Sequence, residues 1–301
     1  MQEIAKKYFS LVIVIGLVLG LLVPSIGNSL TIFVIPSLFV LMLFTVLKVD
    51  FYKVVHSIKK PIPLIIAVIL SYILIPAILY LITDIFALDK EAKLSVMFSA
   101  LAPTILSAPY FVSIMKGDIE FSFVLSILVT VMAPFVIPFE LYYIFGDSVN
   151  FPLINIFNYI FIIVFVPILI VQILKISFPN ILLISSNYEN VVTAFLFFIF
   201  IWAIISTNSK EILNMSEFVL ILVIIGIIQE FGFFLLLRKI SNIFLSDEMS
   251  KSFAFSVAIK NTALTAGIAI LTSSELALAS SIVILVHVPM FAWIMYKKDK
   301  I

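Results

Sequence analysis

The sequence contains no cysteine, only two histidines and only eight glycines. Without cysteine there is no disulfide, thiolate metal site or cysteine nucleophile. His56 and His287 are the two possible imidazole ligands, and no GxxxxGK phosphate-binding loop occurs. Charge is scarce too: charged residues make up 12% of the chain and the net charge is +1. No global field therefore draws the chain to nucleic acid.

Apolar residues are abundant: they make up 63% of the 301 residues. A soluble globular chain is about half apolar and about a quarter charged. A bilayer core needs about 20 apolar residues per helix, and lipid leaves the backbone no partner outside the helix. We therefore predict an all-α integral membrane protein with ten spans in a lipid bilayer. They cover residues 8–24, 28–48, 61–83, 92–115, 119–145, 151–174, 190–206, 216–237, 252–272 and 276–296.

The basic residues support this count. With the N-terminus inside, fourteen of the eighteen lysines and arginines fall in cytoplasmic segments, whereas Lys90, Lys93 and Lys210 fall outside. Basic side chains are retained on the cytoplasmic side during insertion. The pattern predicts a multi-pass protein of the cell (inner) membrane with both termini cytoplasmic.

Ten spans divide into two sets of five, residues 1–148 and 149–301. Because five is odd, a duplicated unit would be inverted in the membrane, a plan common among secondary transporters. Pro134 and Pro289 each lie late in the fifth span of their half. We therefore predict two inverted five-helix repeats forming one membrane domain.

Lys260 lies about nine residues into span nine, roughly 13 Å deep at 1.5 Å per residue. A buried cation requires a partner or a wet cavity, although a long lysine stem can also snorkel to the interface. Glu230 in span eight lies at a similar depth, roughly 12 Å inside Arg238. We predict a Lys260–Glu230 pair; the alternatives are that Glu230 lies in a water-filled crevice or pairs elsewhere.

Spans four and five carry two further patterns. Ser122, Ser126 and Thr130 share one helix face, where hydroxyls can coordinate a cation or let helices pack closely. In span four, two mid-membrane prolines predict a broken helix whose freed backbone groups bind substrate or ions, with a simple kink as the alternative. The candidate site residues there are Pro103, Thr104, Ser107 and Pro109.

Two more places carry candidate site residues. Ser256, Asn261 and Thr262 accompany Lys260 in span nine, where polar residues support an unwound segment without proline. His287 in span ten either relays a proton or is a hydrogen-bonded structural residue.

Residues Ala102–Pro103 through Lys116-Gly117-Asp118, then Ser122 to Pro134, and Ile259 to Leu264 resemble the bile acid:sodium symporter family. The likeness is that of a divergent bacterial or archaeal type. It implies a panel domain of spans one, two, six and seven and a core domain of spans three to five and eight to ten. It also implies that spans four and nine are broken and cross at the binding region, in a secondary transporter that works by alternating access.

The departures from that family fall on its sodium ligands. Ser256 stands where the family has a sodium-binding glutamate, Lys260 where it has a glutamine, and Ser71 where it has another glutamine. Only Ser126 and Thr130 remain of the expected ligands, as residual sodium-site positions. An ammonium in place of a carboxylate repels sodium by about 4 kcal/mol at 4 Å and an effective dielectric of 20. The Lys260 ammonium could stand in for the ion.

We therefore expect a sodium-independent carrier of a small organic anion, either a uniporter, an exchanger or a proton-coupled carrier. No cofactor is expected, and the coupling ion would be Na⁺ or H⁺. The alternatives are a transporter-fold sensor or channel without coupled transport, and an auxin-efflux-type carrier. A related arsenite-exporting branch depends on a cysteine that this chain lacks. No HExxH or GxSxG motif favours an enzyme.

Overall fold

The structure is a computed structural model that describes residues 9–47, 61–146, 153–178, 180 and 188–297. Those residues form helices, and no strand occurs among them. Of the basic residues predicted to be cytoplasmic, those at the N-terminus, those in segment 48–60, Lys298 and Lys300 lie outside these ranges. The helices are α1 (Phe9–Leu22), α2 (Pro24–Ser29), α3 (Val34–Leu47), α4 (Pro61–Ile69), α5 (Ile75–Ile85), α6 (Lys90–Ala100), α7 (Ala108–Ile114), α8 (Ile119–Phe145), α9 (Leu153–Ser177), α10 (Glu189–Thr207), α11 (Ser209–Leu213), α12 (Glu217–Ile227), α13 (Phe233–Ser241), α14 (Asp247–Ala258), α15 (Thr262–Ala269) and α16 (Ser274–Lys297).

Seven helical stretches are long and apolar enough to cross a membrane. They are Pro24–Leu47, Pro61–Ile85, Ile119–Phe145, Leu153–Ser177, Glu189–Thr207, Glu217–Ser241 and Ser274–Lys297. They match seven of the ten predicted runs, so the chain is a multi-pass membrane protein. The other three runs contain shorter helices: α1 in the first, α6 and α7 in the fourth, and α14 and α15 in the ninth.

Polar connector residues start several of these helices. An N-cap side chain satisfies one of the backbone N–H groups that a helix leaves without an internal partner. Asp89, Asp118, Ser216 and Ser246 each accept a hydrogen bond from the backbone N–H three residues later. The sparse polar residues between the apolar runs therefore fix where helices begin.

The helices pack in two groups. In the first, α10 packs along α1, α2 and α3, and α9 packs along α3. In the second, α16 packs against α6, α12 and α15, while α14 packs against α13 and α8. The groups meet mainly where α8 packs on α9. In an apolar 18-residue stretch of each helix, 61% of the residues of α16 are buried but only 28% of those of α9. Helix α16 is therefore central and α9 is peripheral.

Two of the long spans contain a π turn. Leu70–Leu74 joins α4 to α5, and Ile228–Gly232 joins α12 to α13. A π turn adds a residue to the helical turn, shifts the backbone hydrogen bonds and is often found at functional sites. Each π turn places polar residues inside the protein: Ser71 in the first, and Gln229 with Glu230 in the second.

An ion-pair cluster closes the connection between α13 and α14. Asp247 accepts hydrogen bonds from Arg238 and from Lys251, the latter with an Nζ–Oδ2 distance of 2.8 Å. The Lys251 ammonium, helped by the Arg238 guanidinium, holds the pKa of Asp247 below its usual range. The cluster joins the last turn of α13 to the first turn of α14.

Candidate functional site: two interrupted helices and a buried lysine

The helical path is interrupted twice, between α6 and α7 and between α14 and α15. The two connecting segments pair through their backbones: Asn261 N–H donates to the Pro103 carbonyl at 2.6 Å, and Ile105 N–H donates to the Ile259 carbonyl at 3.1 Å. Thr104 thus lies opposite Lys260 in an isolated antiparallel bridge. Each segment supplies hydrogen-bond partners that the other loses by leaving the helix, which a buried backbone requires.

The local sequence explains one interruption better than the other. Pro103 lacks an N–H and its ring disfavours a helix just before it, so α6 ends at Ala100. Pro109 lies in the first turn of α7, where a proline is tolerated. The second interruption has no proline. There, the Asn261 side chain accepts a hydrogen bond from Leu264 N–H and so caps α15.

Lys260 is fully buried, and its Nζ donates to the Ser71 carbonyl at 2.9 Å. Ser71 belongs to the first π turn, where the shifted hydrogen-bonding pattern allows a carbonyl to accept from a side chain. The predicted direct Lys260–Glu230 pair is not formed: the structure gives no ion pair between them within 4 Å, although their charges attract. Two side chains at similar depth in the membrane need not touch. Here the first π turn places the Ser71 carbonyl closer to the Lys260 ammonium than the Glu230 carboxylate is.

Hydroxyl groups link the paired segments to α8. Thr104 Oγ1 donates to the Ser256 carbonyl, and Ser256 Oγ donates to Ser122 Oγ at 2.7 Å. Along α8, Ser126 Oγ donates to the Ser122 carbonyl at 2.7 Å and Thr130 Oγ1 donates to the Ser126 carbonyl at 2.6 Å. All four hydroxyl side chains donate within the protein: those of Thr104 and Ser256 join separate segments, whereas those of Ser126 and Thr130 bond back to their own helix.

This donor set fits sodium poorly. The remaining ligand positions, Ser126 and Thr130, offer neutral hydroxyls whose protons point at their own helix. At the other positions, Ser256 supplies another hydroxyl and the ammonium of Lys260 lies on the carbonyl of Ser71. A hard cation prefers several oxygen ligands and carboxylate charge, and a neighbouring ammonium repels it.

A second polar cluster lies in the second π turn. Glu230 is fully buried, and its Oε2 is 3.1 Å from Nε2 of His287 on α16, which is 7% exposed. The two atoms are within ion-pair distance but are not aligned as a hydrogen bond. Among the described residues, neither carboxylate oxygen, His287 Nε2 nor the amide atoms of Gln229 has a hydrogen-bond partner. Sequence reasoning selected Glu230 and His287 separately and missed Gln229, whose only signal is its position beside Glu230 in an apolar span.

The remaining candidates are placed differently. Thr262 is buried at the first position of α15, and its hydroxyl has no hydrogen-bond partner among the described residues. Ser107 is exposed just before α7, where its carbonyl accepts from Tyr110 N–H, and it does not join the Lys260 cluster. A cavity of about 20 Å³ lies nearby, lined by Leu106, Thr130, Met42 and Ile168 among others, and has room for about one water molecule.

Comparison with known proteins identifies a family. A family model described as the Sodium Bile acid symporter family matches residues 35–218, which is more than half of the chain. The match begins in α3 and ends in α12, so it includes the first interruption and α8. A search of curated proteins finds no match to this chain.

Proposed function

This chain belongs to the sodium bile acid symporter family, and we propose that it is a sodium-independent secondary carrier of a small organic anion. The family consists of transporters, which fits a protein with seven apolar spans and buried polar residues between them.

The observation that carries the proposal is the hydrogen bond from Lys260 Nζ to the Ser71 carbonyl. By resemblance, both residues stand where the family has sodium-binding glutamines, and Ser256 stands where it has the glutamate. The lysine therefore puts a covalently attached ammonium at a position where relatives would bind a mobile cation. That charge removes the need for sodium and attracts an anionic substrate.

We count ten spans by treating α6 with α7, and α14 with α15, as broken spans four and nine, and α1 as the first. Matching features of the two halves support inverted repeats. The third span of each half has 25 residues and one π turn. In the fifth spans, Pro134 follows Ile119 by fifteen residues and Pro289 follows Ser274 by fifteen. The contact of Thr104 with Lys260 then marks where the broken spans cross.

Alternating access would occur between the two helix groups. Helices α1 to α3, α9 and α10 would form the panel, and the remaining spans the core. The cavity of about 20 Å³ lies between α3 and α9 on one side and α8 and Leu106 on the other, and it is too small for an organic substrate. Because this gap is narrow, we infer that the two groups separate to admit substrate.

Sodium dependence can be tested without knowing the substrate. Thermal unfolding of the purified protein should be measured in sodium and in potassium at equal ionic strength. A ligand that binds only the folded state raises its stability, so a sodium site would give a sodium-selective increase in Tm. We expect equal Tm values in the two salts, whereas a sodium-selective increase would overturn sodium independence.

Carrier activity requires a transport measurement. Proteoliposomes preloaded with unlabelled bile acid, the first probe suggested by the family, should take up labelled bile acid in saturable counterflow, equally in sodium and in potassium. A sodium gradient that drives accumulation would contradict the proposed coupling. Absence of counterflow with bile acid and with simpler carboxylates would favour a sensor or channel instead.

A further inference from the structure

The polar cluster of the second π turn has no role in the cation replacement described above. It consists of Gln229, Glu230 and His287, and it is separate from the hydroxyls around Ser256. Five of its polar atoms are buried without a hydrogen-bond partner among the described residues. Unsatisfied groups at this density are costly and mark a place where a ligand or a second protonation state completes the hydrogen bonding.

A buried carboxylate by itself is especially costly. Moving an unpaired charge out of water costs several kcal/mol even after relaxation. Glu230 is 0% exposed, and the nearest ionisable atom is His287 Nε2 at 3.1 Å. One proton on this pair neutralises it, either as carboxylate with imidazolium or as carboxylic acid with imidazole. Loss of that proton leaves one negative charge.

Charged groups face Glu230 from two neighbouring segments. His287 faces it from α16, and Lys260 attracts its charge from the segment after α14. Its own span adds the neutral Gln229 and, eight residues later, Arg238, roughly 12 Å along the helix. Arg238 is paired with Asp247, which also binds Lys251 at the start of α14. The proton balance of the cluster is therefore set by Glu230, His287 and Lys260.

The net charge of these three groups explains how the cluster can release a proton. With the proton bound, the pair is neutral and Lys260 is the one charge. After release from His287 Nε2 to water, the Glu230 carboxylate and the Lys260 ammonium offset each other. The net charge of the three groups is then +1 with the proton bound and zero after its release, so the exchange changes the buried charge by one unit.

We propose that Glu230 and His287 form a proton-binding site, and that a proton exchanged there is the coupling ion of this carrier. The proposal rests on the proposed function, because coupling presupposes transport. The second π turn then binds the coupling ion, while the Lys260 ammonium stays attached at the interrupted helices.

An aromatic stack connects this site to the interrupted helices. The His287 ring stacks on Phe291 with centroids 5.3 Å apart, and Phe291 stacks on Phe111 of α7 at 4.2 Å. Phe111 in turn stacks on Phe255 of α14 at 5.7 Å. A change of charge or ring orientation at His287 therefore reaches two helices by direct contact. These are α7, which follows the first interruption, and α14, which precedes the second.

The first experiment measures protonation of His287 directly. The chain has two histidines, so His56→Gln leaves His287 as the sole imidazole. In protein with ¹⁵N-labelled histidine, the ring nitrogen signals should change with pH, from mildly acidic to mildly alkaline solution, as the pair gains and loses its proton. The Glu230→Gln variant should give a different titration, because the group 3.1 Å from Nε2 is no longer a carboxylate. Glu217→Gln, an exposed change on the same span, should leave the signals unchanged.

Two results would overturn the proton site. One is a His287 signal that does not change across this pH range, and the other is a titration that is the same with and without Glu230. If Glu230→Gln fails to fold, Glu230→Asp keeps the charge but shortens the reach by one methylene, and it should still alter the titration because the 3.1 Å contact lengthens.

The second experiment measures coupling. In proteoliposomes that perform counterflow of bile acid, an imposed pH gradient should drive net accumulation by the wild type. The Glu230→Gln variant should lose pH-driven accumulation, whereas the exposed Glu217→Gln should keep both counterflow and pH-driven accumulation. Equal accumulation by Glu230→Gln and the wild type would contradict the proposal. Absence of counterflow in the wild type would be a failure of the carrier function, whereas the histidine spectra test the proton site independently of transport.

Discussion

Lys260 is the charged side chain in the two segments that interrupt the helices. Lys260 lies where the family resemblance places an amide, and its ammonium contacts the Ser71 carbonyl at 2.9 Å. An ammonium brings charge and hydrogen-bond donors to an acceptor that would otherwise suit a metal ion. Because it is covalently attached, it cannot be released during a transport cycle, which is the physical reason to expect loss of sodium coupling.

Reversal of two residue changes should restore a response to sodium. In the double variant Ser256→Glu with Lys260→Gln, a carboxylate and an amide oxygen replace a hydroxyl and a repelling ammonium. Sodium at about 100 times its Kd would add about 2.7 kcal/mol to stability, so we expect a sodium-selective rise in Tm that the wild type lacks. Thermal unfolding in sodium and potassium measures it.

The single variant Lys260→Gln and the exposed Lys239→Gln serve as controls for this experiment. The first removes repulsion without adding a carboxylate and should give a smaller sodium response. The second should give none. A double variant that unfolds at the same temperature in both salts would show that these two positions do not decide sodium binding.

At the residue scale, the sequence predicted how deeply Lys260 is buried better than it predicted which group Lys260 contacts. The position of Lys260 within an apolar run predicts burial, and Lys260 is fully buried. Its expected partner was wrong because depth leaves rotation about each helix undetermined. Glu230 contacts His287 instead, a pairing that requires knowing which faces of two spans meet. The Ser71 carbonyl could not be anticipated, since a backbone acceptor has no side-chain signature.

At the scale of elements, the interruptions and the π turns arise from different causes. Pro103 and Pro109 predict a break in one helix from sterics alone. Between Ala258 and Thr262 the chain leaves the helix without a proline, because backbone hydrogen bonds to the first segment replace the helical ones. The π turns at Leu70–Leu74 and Ile228–Gly232 have no sequence pattern that we can identify.

Packing of α2 against α10 provides a prediction at this scale. A Cβ atom added at Gly27 would lie 1.9 Å from Ser206 Oγ and 2.8 Å from Cδ1 of Trp202. Overpacking of this kind costs about 1–3 kcal/mol, so Gly27→Ala should lower the Tm. Thermal unfolding of the purified variant measures the change.

Gly232→Ala is the matched control for this packing test. Its added Cβ would have no neighbour closer than the 3.6 Å contact with the Ile228 side chain, which is ordinary van der Waals contact. Alanine also favours a helix over glycine by about 1 kcal/mol, so this variant should unfold at or above the wild-type Tm. If the two variants were equally stable, α2 and α10 would not be in close contact in the membrane.

At the scale of the whole molecule, apolar length identifies seven spans and the sequence predicts ten. Under the proposed ten-span topology, two of the three remaining spans would each be broken into two short helices, and the third would be α1, which has 14 residues. Helices α6 and α7 have 11 and 7 residues, and α14 and α15 have 12 and 8. The apolar runs and the alternation of basic residues predict these three spans, which helix length alone does not identify.

The natural absence of cysteine makes the span count directly testable. In whole cells, a single introduced cysteine can be labelled by a membrane-impermeant maleimide only if it faces outward, and no native thiol adds background labelling of this chain.

If α6 with α7 crosses the membrane, Glu91→Cys should label in intact cells and Ile119→Cys only after permeabilisation. If α14 with α15 crosses, Asn242→Cys should label only after permeabilisation and Glu275→Cys in intact cells. All four positions are exposed, so accessibility within the protein does not decide the result. Two positions of one pair that label from the same side would mean that the intervening helices enter and leave by one face, and the inverted-repeat topology would fail.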